Sequence, residues 1–472
     1  MPSSMMYCIA CFDKLVDDVL IQILQMSTVQ AVLSLRQTCR RYYLLSKTRI
    51  VWHAKFRREV LARGLPPPGP FRPIATLSAT DLEKRTLQAL HLENQWSRLS
   101  AKVIASTQRR ETVDQVVFIP GGVEIVTVQN DKLIYWHVTC SSGRYCLKRI
   151  AEWNGRVACK LVTDCENPGV IAVGPREQPN KFCTVFSLSQ RRPFATLCDY
   201  ALVPGILAGI WHHLLLLDIT GEQDTTGGLA LLDWHAQTTG RALLPCLREL
   251  YGHFVDFALF SDHILVAWEN CMSVFDIPKV PAQGQVVMEH RRVFMFQEPI
   301  SRPVAFTTCI ARSLPAHDGS SRTRHSSLTI AARPQSKGGK LVMSMLVPLS
   351  DDDDEHGGDS VAPLFPYRLL RLSPYTPSIL ADAGGRVSQT CTSLKLGSSG
   401  RGICVFGEEV RICGPGVLFH PPCEMQIGPV FETGRALYQV DVGSAEKVDF
   451  DEGTGRFVVA RTSGAFEVVQ LC

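Results

Sequence analysis

The residue types that do chemistry are present in this chain, but their spacing is thin. Cys8 and Cys11 have the spacing of a redox or metal pair, with no second pair beside them. Cys404, Cys413, His420 and Cys423 offer zinc-type ligands, yet their spacing fits no familiar zinc module, and a strand-rich core buries cysteines anyway. The acidic run at residues 350–360, "SDDDDEHGGDS", has the charge for calcium but lacks the spaced ligands and anchoring Glu of a calcium loop. It reads as a solvated loop, as does "ARSLPAHDGSSRTRHSS" before it. His212 and His213, ahead of four leucines, mark a strand edge. There is no nucleophile elbow, no Walker pattern and no dinucleotide glycine pattern. The expectation is no catalytic residue, no metal, no cofactor and no enzyme activity.

Composition narrows the classes further. The chain has 472 residues, 45% apolar, 20% charged, with a formal net charge of +4. A sizeable core can form, and the charge argues against a dedicated nucleic-acid binder. The length suits two to four domains, or one large propeller or sandwich beside a small module. The seventeen cysteines are odd in number and follow no framework. They read as mostly buried thiols in a reducing compartment, the cytoplasm or nucleus. The opening residues carry no basic leader, so no secretory signal is expected. The most apolar stretch, "ALVPGILAGIWHHLLLLDI", is broken by Pro204, Gly205, Gly209 and the paired histidines into strand-sized pieces, and no membrane span is expected.

The one chemically suggestive pattern is apolar. In "LVDDVLIQILQMSTVQAVLSLRQTCRRYY", residues 15–43, Leu15, Val19, Leu20, Ile23 and Leu24 recur at helical spacing. Asp17 and Asp18 suit the positive end of that helix's dipole. Ser27 with Gln30 forms a capping-box pattern for a second helix presenting Val29, Val32 and Leu33. Cys39, Tyr42 and Leu45 then share one side of a third, with Arg40 and Arg41 as solvated stems. A further helix covers "VWHAKFRREVLARG", stopped by Gly64 and "PPPGP". So small a unit is marginal alone. Spacing leaves open whether its apolar stripe faces an internal core or a partner.

These residues resemble the F-box, the three-helix module that binds the Skp-type adaptor of cullin ubiquitin ligases. Leu15, Val16, Asp18, Val19, Ile23 and Leu24 match the family's opening pattern, and Thr38, Cys39, Arg40, Arg41 and Tyr42 match its Val-Cys-Arg-x-Trp. Val16 stands where Pro is usual and Tyr42 where Trp is usual. The resemblance implies that Leu15, Val16, Val19, Leu20, Ile23 and Leu24 bind the adaptor. The following segment is similar to that of F-box proteins from mushroom-forming (basidiomycete) fungi. In it, residues 66–79 read as an extended connector and 80–99 as a helix. Thr80 and Glu83 form a capping-box candidate, and Leu82, Leu87, Leu90 and Trp96 an apolar stripe.

From Val113 the texture becomes strand and turn. "QVVFIPGGVEIVTVQNDKLIYWHV" and "HFVDFALFSDHILVAWENCMSVFDI" share one grammar, with turns at Asn130-Asp131 and Ser261-Asp262. The last strands of comparable units end near Val138, Leu188, Leu232 and Ile277, a step suited to four-stranded propeller blades. Residues 436–471 read as four strands of one terminal blade, whose last strand pairs near the amino-terminal end of the ring. This part resembles a degenerate WD-repeat propeller; a pair of β-sandwiches is the alternative. The expected architecture is mainly β with a small all-α amino-terminal module: F-box at 11–50, helical linker at 51–112 and a propeller, of seven blades by length, at 113–472. The function this implies is the substrate-recognition subunit of a Skp-cullin-F-box E3 ligase. Its partners would be the adaptor, through it a cullin, and an unknown protein substrate, with no nucleic acid and no membrane. The alternative is a non-catalytic scaffold outside that complex.

Overall fold

The computed structural model describes residues 14–472 except 70–72, 99, 108–111, 130–131, 156–158, 165–166, 168, 176–180, 190–191, 204, 220–227, 237–238, 246–247, 261–262, 311–325, 336–341, 349–366, 373–390, 398–400, 407–408, 414–435, 440–444 and 462–463. The chain divides into two compact units, Met1–Ser97 and Arg98–Cys472. The Cys8/Cys11 pair, both hairpin turns named above, the acidic run and His420/Cys423 lie outside the described residues.

The first unit is helical. Helices α1 (Asp17–Met26), α2 (Val29–Arg36), α3 (Arg40–Ser46) and α4 (Arg49–Lys55) follow in close succession, and α4 runs on into a π-helical turn, Phe56–Leu61. A short 3-10 turn, Ile74–Thr76, precedes α5 (Ala79–Arg98). Two caps differ from expectation. Thr28, not Ser27, accepts the Ala31 N–H at 3.2 Å, while the Ser27 hydroxyl donates back to Ile23 O. At α5 the box is Ser78 with Asp81: the Ser78 hydroxyl accepts from Asp81 N and the Asp81 carboxylate accepts from Ser78 N. The cap falls one residue later than expected at α2 and two earlier at α5, in each case on the residue directly before the first helical turn, whose oxygen reaches the open N–H groups.

The second unit is mainly β. Its first strand, β1 (Ala101–Ser106), belongs to this unit and not to a linker reaching residue 112, because it pairs antiparallel with the last strand of the chain. Strands β2 (Gln115–Ile119), β3 (Glu124–Gln129), β4 (Lys132–Ser141) and β5 (Arg144–Asn154) form one sheet. Strands β6 (Cys159–Thr163), β7 (Val170–Pro175), β8 (Lys181–Ser187) and β9 (Ala195–Val203) form the next. Then come β10 (Ile206–Trp211), β11 (Leu214–Asp218), β12 (Gly228–Asp233) and β13 (Arg241–Pro245), followed by β14 (Phe254–Phe260), β15 (His263–Trp268) and β16 (Cys271–Asp276). After β16 the chain reaches back: β17 (Gln285–Val287) adds to β13 in parallel, and β18 (Arg292–Met295) completes the β14–β16 sheet. Strands β19 (Ile300–Ile310), β20 (Ser326–Pro334), β21 (Val342–Pro348) and β22 (Tyr367–Leu372) form another sheet, and β23 (Cys391–Leu396), β24 (Gly402–Phe406), β25 (Glu409–Cys413) and β26 (Ala436–Gln439) another. The final sheet has the order β1-β29-β28-β27, from β27 (Ala445–Asp451), β28 (Arg456–Arg461) and β29 (Phe466–Leu471). The described strands thus make seven sheets.

The first strands of successive sheets pack side by side: β2 on β27 and β6, β6 on β10, β14 on β19, β19 on β23, β23 on β27. Gly209 joins β10 to β14, since a Cβ there would lie 2.1 Å from Phe257 Cζ. The β10–β13 sheet is covered on both faces, which explains the run "LLLLD". Leu214 and Leu216 pack with Ile264 and Val266 of one neighbour, while Leu215 and Leu217 pack with Ala172 and Val185 of the other. This is a β-propeller, and its strand grammar is as expected from sequence.

Two details differ. The strands ending near Val138, Leu188, Leu232 and Ile277 are the third in their sheets, each followed by a fourth. The terminal blade is not residues 436–471: β26 belongs to the preceding sheet, and β1 supplies the missing strand. The expected pairing of the last strand with the amino-terminal end of the ring is present. Polar side chains fasten neighbouring inner strands. The Gln115 amide donates to Leu161 O and accepts from Leu161 N. Asp449 accepts from Phe118 N at 2.6 Å, and buried Asp164 accepts from His212 N at 2.9 Å. His212 and His213 form the turn between β10 and β11.

Candidate functional site

The helical unit builds its own core from Leu24, Val29, Val32, Val51, Trp52, Phe56, Val60, Leu77, Leu82 and Ala89. The two ends of α1 are fastened to it. At the amino end the Arg41 guanidinium donates to Leu15 O and to the Asp17 carboxylate at 2.6 Å. At the carboxy end Lys55 Nζ donates to Gln25 O at 3.1 Å and to Ser27 O, and Arg58 donates to Met26 O at 2.8 Å. Cations at these open carbonyls suit the negative end of the helix. Burial, with Arg58 beside it and Glu59 opposing, pulls the Lys55 ammonium down to about 8.

Held in this way, α1 presents two apolar faces. Leu20 and Leu24 point inward, each 2% exposed. Val16, Val19, Ile23 and Met26, at i, i+3, i+7 and i+10, form an outward stripe. Val16 is 64% and Met26 77% exposed, and Ile23 is half-buried. Leu15 is also half-buried. The six residues singled out from sequence are therefore not brought together on one surface, because Leu20 and Leu24 are committed to the unit's interior. Sequence reading missed Met26, Tyr43, Leu44 and Ile50, all exposed. Tyr43 and Leu44 had a signal: they stand three and four residues after Arg40 on one face of α3. Tyr42 is buried.

Behind this surface a polar network ties α2 and α3 to α5. Glu83 takes hydrogen bonds from Arg36 Nη1 at 2.6 Å and Lys47 Nζ at 2.9 Å, and Arg36 also donates to the Ser46 hydroxyl and lies 5.5 Å from the Trp52 ring centre. Burial alone would push the Glu83 carboxyl up; the bonds from Arg36 and Lys47 outweigh it and hold the group below its usual range. This stabilisation is present above the unfolded carboxyl's range, near pH 4.5, and is lost as pH falls through the lower folded value. Glu83→Gln should therefore cost the helical unit about 1–3 kcal/mol at neutral pH. Urea unfolding followed by tryptophan fluorescence should show the difference from the parent shrinking below pH 4.5. An equal midpoint at pH 7 would show that the network adds nothing.

In the propeller, charges gather on the first strands of the sheets. Lys395 pairs with Asp449 at 3.4 Å, and that carboxylate raises its pKa. Arg302 Nε donates to Val255 O at 2.8 Å. Burial lowers the Lys160 ammonium to about 8, helped by Arg302 and opposed by Asp256 and Asp218, and burial raises the Asp256 carboxyl. Of the described thiols, Cys183, Cys198, Cys271, Cys391 and Cys404 are buried and Cys39, Cys140 and Cys146 exposed. Burial pushes Cys183 and Cys391 up to about 12, where a thiol is a poor nucleophile. Among the described residues, no group of three or more His, Cys, Asp and Glu converges as metal ligands, and no helix is long and apolar enough to cross a membrane.

No protein-family model matches the chain. No curated protein matches it either. Among solved structures it is similar to the β-propeller domain of Myceliophteria thermophila Cps50 (Swd1), at 9% identity with a TM-score of 0.51, covering 79% of this chain and 100% of that one. At that identity the likeness is one of fold: a mainly β chain with a β-propeller and a few helices at its amino-terminal end.

Proposed function

We propose that this chain is the substrate-recognition subunit of a Skp-cullin-F-box type E3 ubiquitin ligase. In this reading the helical unit is an F-box of the mushroom-forming fungal type and docks the Skp-family adaptor, through which a cullin is reached. The seven sheets act as seven blades of a degenerate WD-repeat-like propeller that holds a protein substrate. The observation that carries the reading is the outward stripe Val16, Val19, Ile23 and Met26 on a helix whose adjacent face already closes a core. A helix apolar on both faces is one that a partner covers. The chain needs no catalytic residue of its own in this role. Its contribution is proximity, placing a substrate lysine near a charged conjugating enzyme. Such work belongs to the cytoplasm or nucleus. Purification of tagged protein from its native cells, with identification of what stays bound, tests the reading. Adaptor and cullin should be recovered in stoichiometric amounts; recovery of propeller-bound proteins with neither would favour a scaffold outside the ligase.

A further inference from the structure

The helical unit differs in charge from the rest of the chain. Residues 1–97 hold thirteen Lys and Arg against seven Asp and Glu, so this unit carries +6 where the whole chain carries +4. Residues 98–472 are correspondingly at −2. The excess sits beside the apolar surface. Along α3 and the Lys47 that caps it, Arg40, Tyr43, Leu44 and Lys47 follow at i, i+3, i+4 and i+7, and all four are exposed. Lys47 Nζ lies 5.9 Å from the Tyr43 ring centre. Arg41 fastens α3 to the start of α1, and Gln25 Nε2 donates to Ile50 O at 3.5 Å. The α3 stripe thus stands at the amino end of the α1 stripe and exposed Ile50 at its carboxy end. Arg57 is exposed on the π-helical turn. Of the described carboxylates nearby, Asp17 is matched by Arg41, Glu59 by Arg58 and Glu83 by Arg36 and Lys47, leaving exposed Asp18 to oppose the field.

We infer that the surface formed by Val16, Val19, Ile23, Tyr43 and Leu44 takes an acidic partner segment, one that sets apolar anchors among Asp and Glu side chains. This deepens the docking reading and rests on it. Apolar contact supplies the attachment, while the basic rim selects an acidic partner and speeds encounter. A basic amphipathic helix would meet the same apolar surface against a repelling field, and a neutral one would gain nothing from it.

The test is a titration of the full-length chain with purified Skp-type adaptor, from 50 mM to 500 mM salt. Affinity should fall roughly ten-fold or more over that range, since rim charges are screened within about a Debye length. Arg40→Glu should weaken binding several-fold at low salt and little at high salt. Asp18→Lys should do the reverse, and circular dichroism should show both variants folded. Affinity unchanged across the salt series, or Arg40→Glu and Asp18→Lys both binding as the parent does, overturns the acidic-partner inference while leaving docking intact. No binding at any salt concentration overturns the docking reading and this one with it.

Discussion

Deletion of residues 457–472 should abolish cooperative folding of the β unit. The deletion removes β28 and β29, the two central strands of the closing sheet, and leaves β1 and β27 without partners. Phe457, Val458, Val459, Phe466, Val468, Val469 and Leu471 are each at most 1% exposed. Val458, Phe466 and Val468 pack with Phe118, Ile125 and Trp136 of the next sheet, and the Trp136 and Phe466 rings meet edge to face at 5.4 Å. Seven such side chains at about 1.5 kcal/mol or more apiece represent roughly 10 kcal/mol, comparable to the entire stability of an ordinary domain. The cut also opens two sheet edges that a closed ring removes, inviting aggregation. Expression of the truncated chain should give insoluble protein, or soluble protein with a broad, non-cooperative thermal transition by circular dichroism. A sharp transition from soluble truncated protein would mean that the ring does not depend on its closing strand.

A charge on the outward face of α1 should have the second large effect. Ile23→Asp and Val19→Asp should each lower adaptor affinity by about ten- to hundred-fold, because a contact of this kind hides surface worth roughly 1.5–3 kcal/mol per large anchor. The buried, unpaired carboxylate adds its own desolvation cost. Val19 is exposed and Ile23 only half-buried, so the helical unit should stay folded. Leu20→Ala separates the two roles. Leu20 is 2% exposed within the unit itself, so its truncation should cost about 2–5 kcal/mol of stability rather than remove a docking contact. Titration calorimetry with circular dichroism on each variant reads both quantities. Parent-like affinity for a folded Ile23→Asp variant would remove the α1 stripe as the docking surface. Val16 offers a gain-of-function check. The residue before α1 has extended backbone at φ −68°, a value that proline adopts without strain, so Val16→Pro should tighten binding through a stiffer first turn.

Much of this molecule was legible along the chain. Helical spacing located α1, the polar break at Ser27 and Thr28 ended it, and short apolar runs separated by turn residues marked the strands. The paired histidines at 212 and 213 read as a strand edge and form the turn between β10 and β11. The repeat step was visible as well, although it tracked third strands; the outer strands that follow them, such as β5, alternate between half-buried and exposed positions and leave a weaker trace.

By itself the sequence determined the elements: which segments are helix, which are strand, and that strands repeat at a step suited to propeller blades. Those properties follow from local backbone preference and from the period of apolar residues, both readable within a few turns of chain. Tertiary structure alone decided the partners. It placed Leu20 and Leu24 inside and Val16, Val19, Ile23 and Met26 outside, because a helix apolar on two faces carries no mark of which face meets its own core. It gave Glu83 to Arg36 and Lys47 instead of a cap, since the deciding cations approach from α2 and the end of α3. It chose β1, read from sequence as part of a helical linker, as the strand that β29 joins, where the sequence placed that pairing only near the amino-terminal end of the ring. Each of these outcomes depends on groups brought together only when the chain has folded, through packing and pairing energies that act across space and leave no period in the sequence.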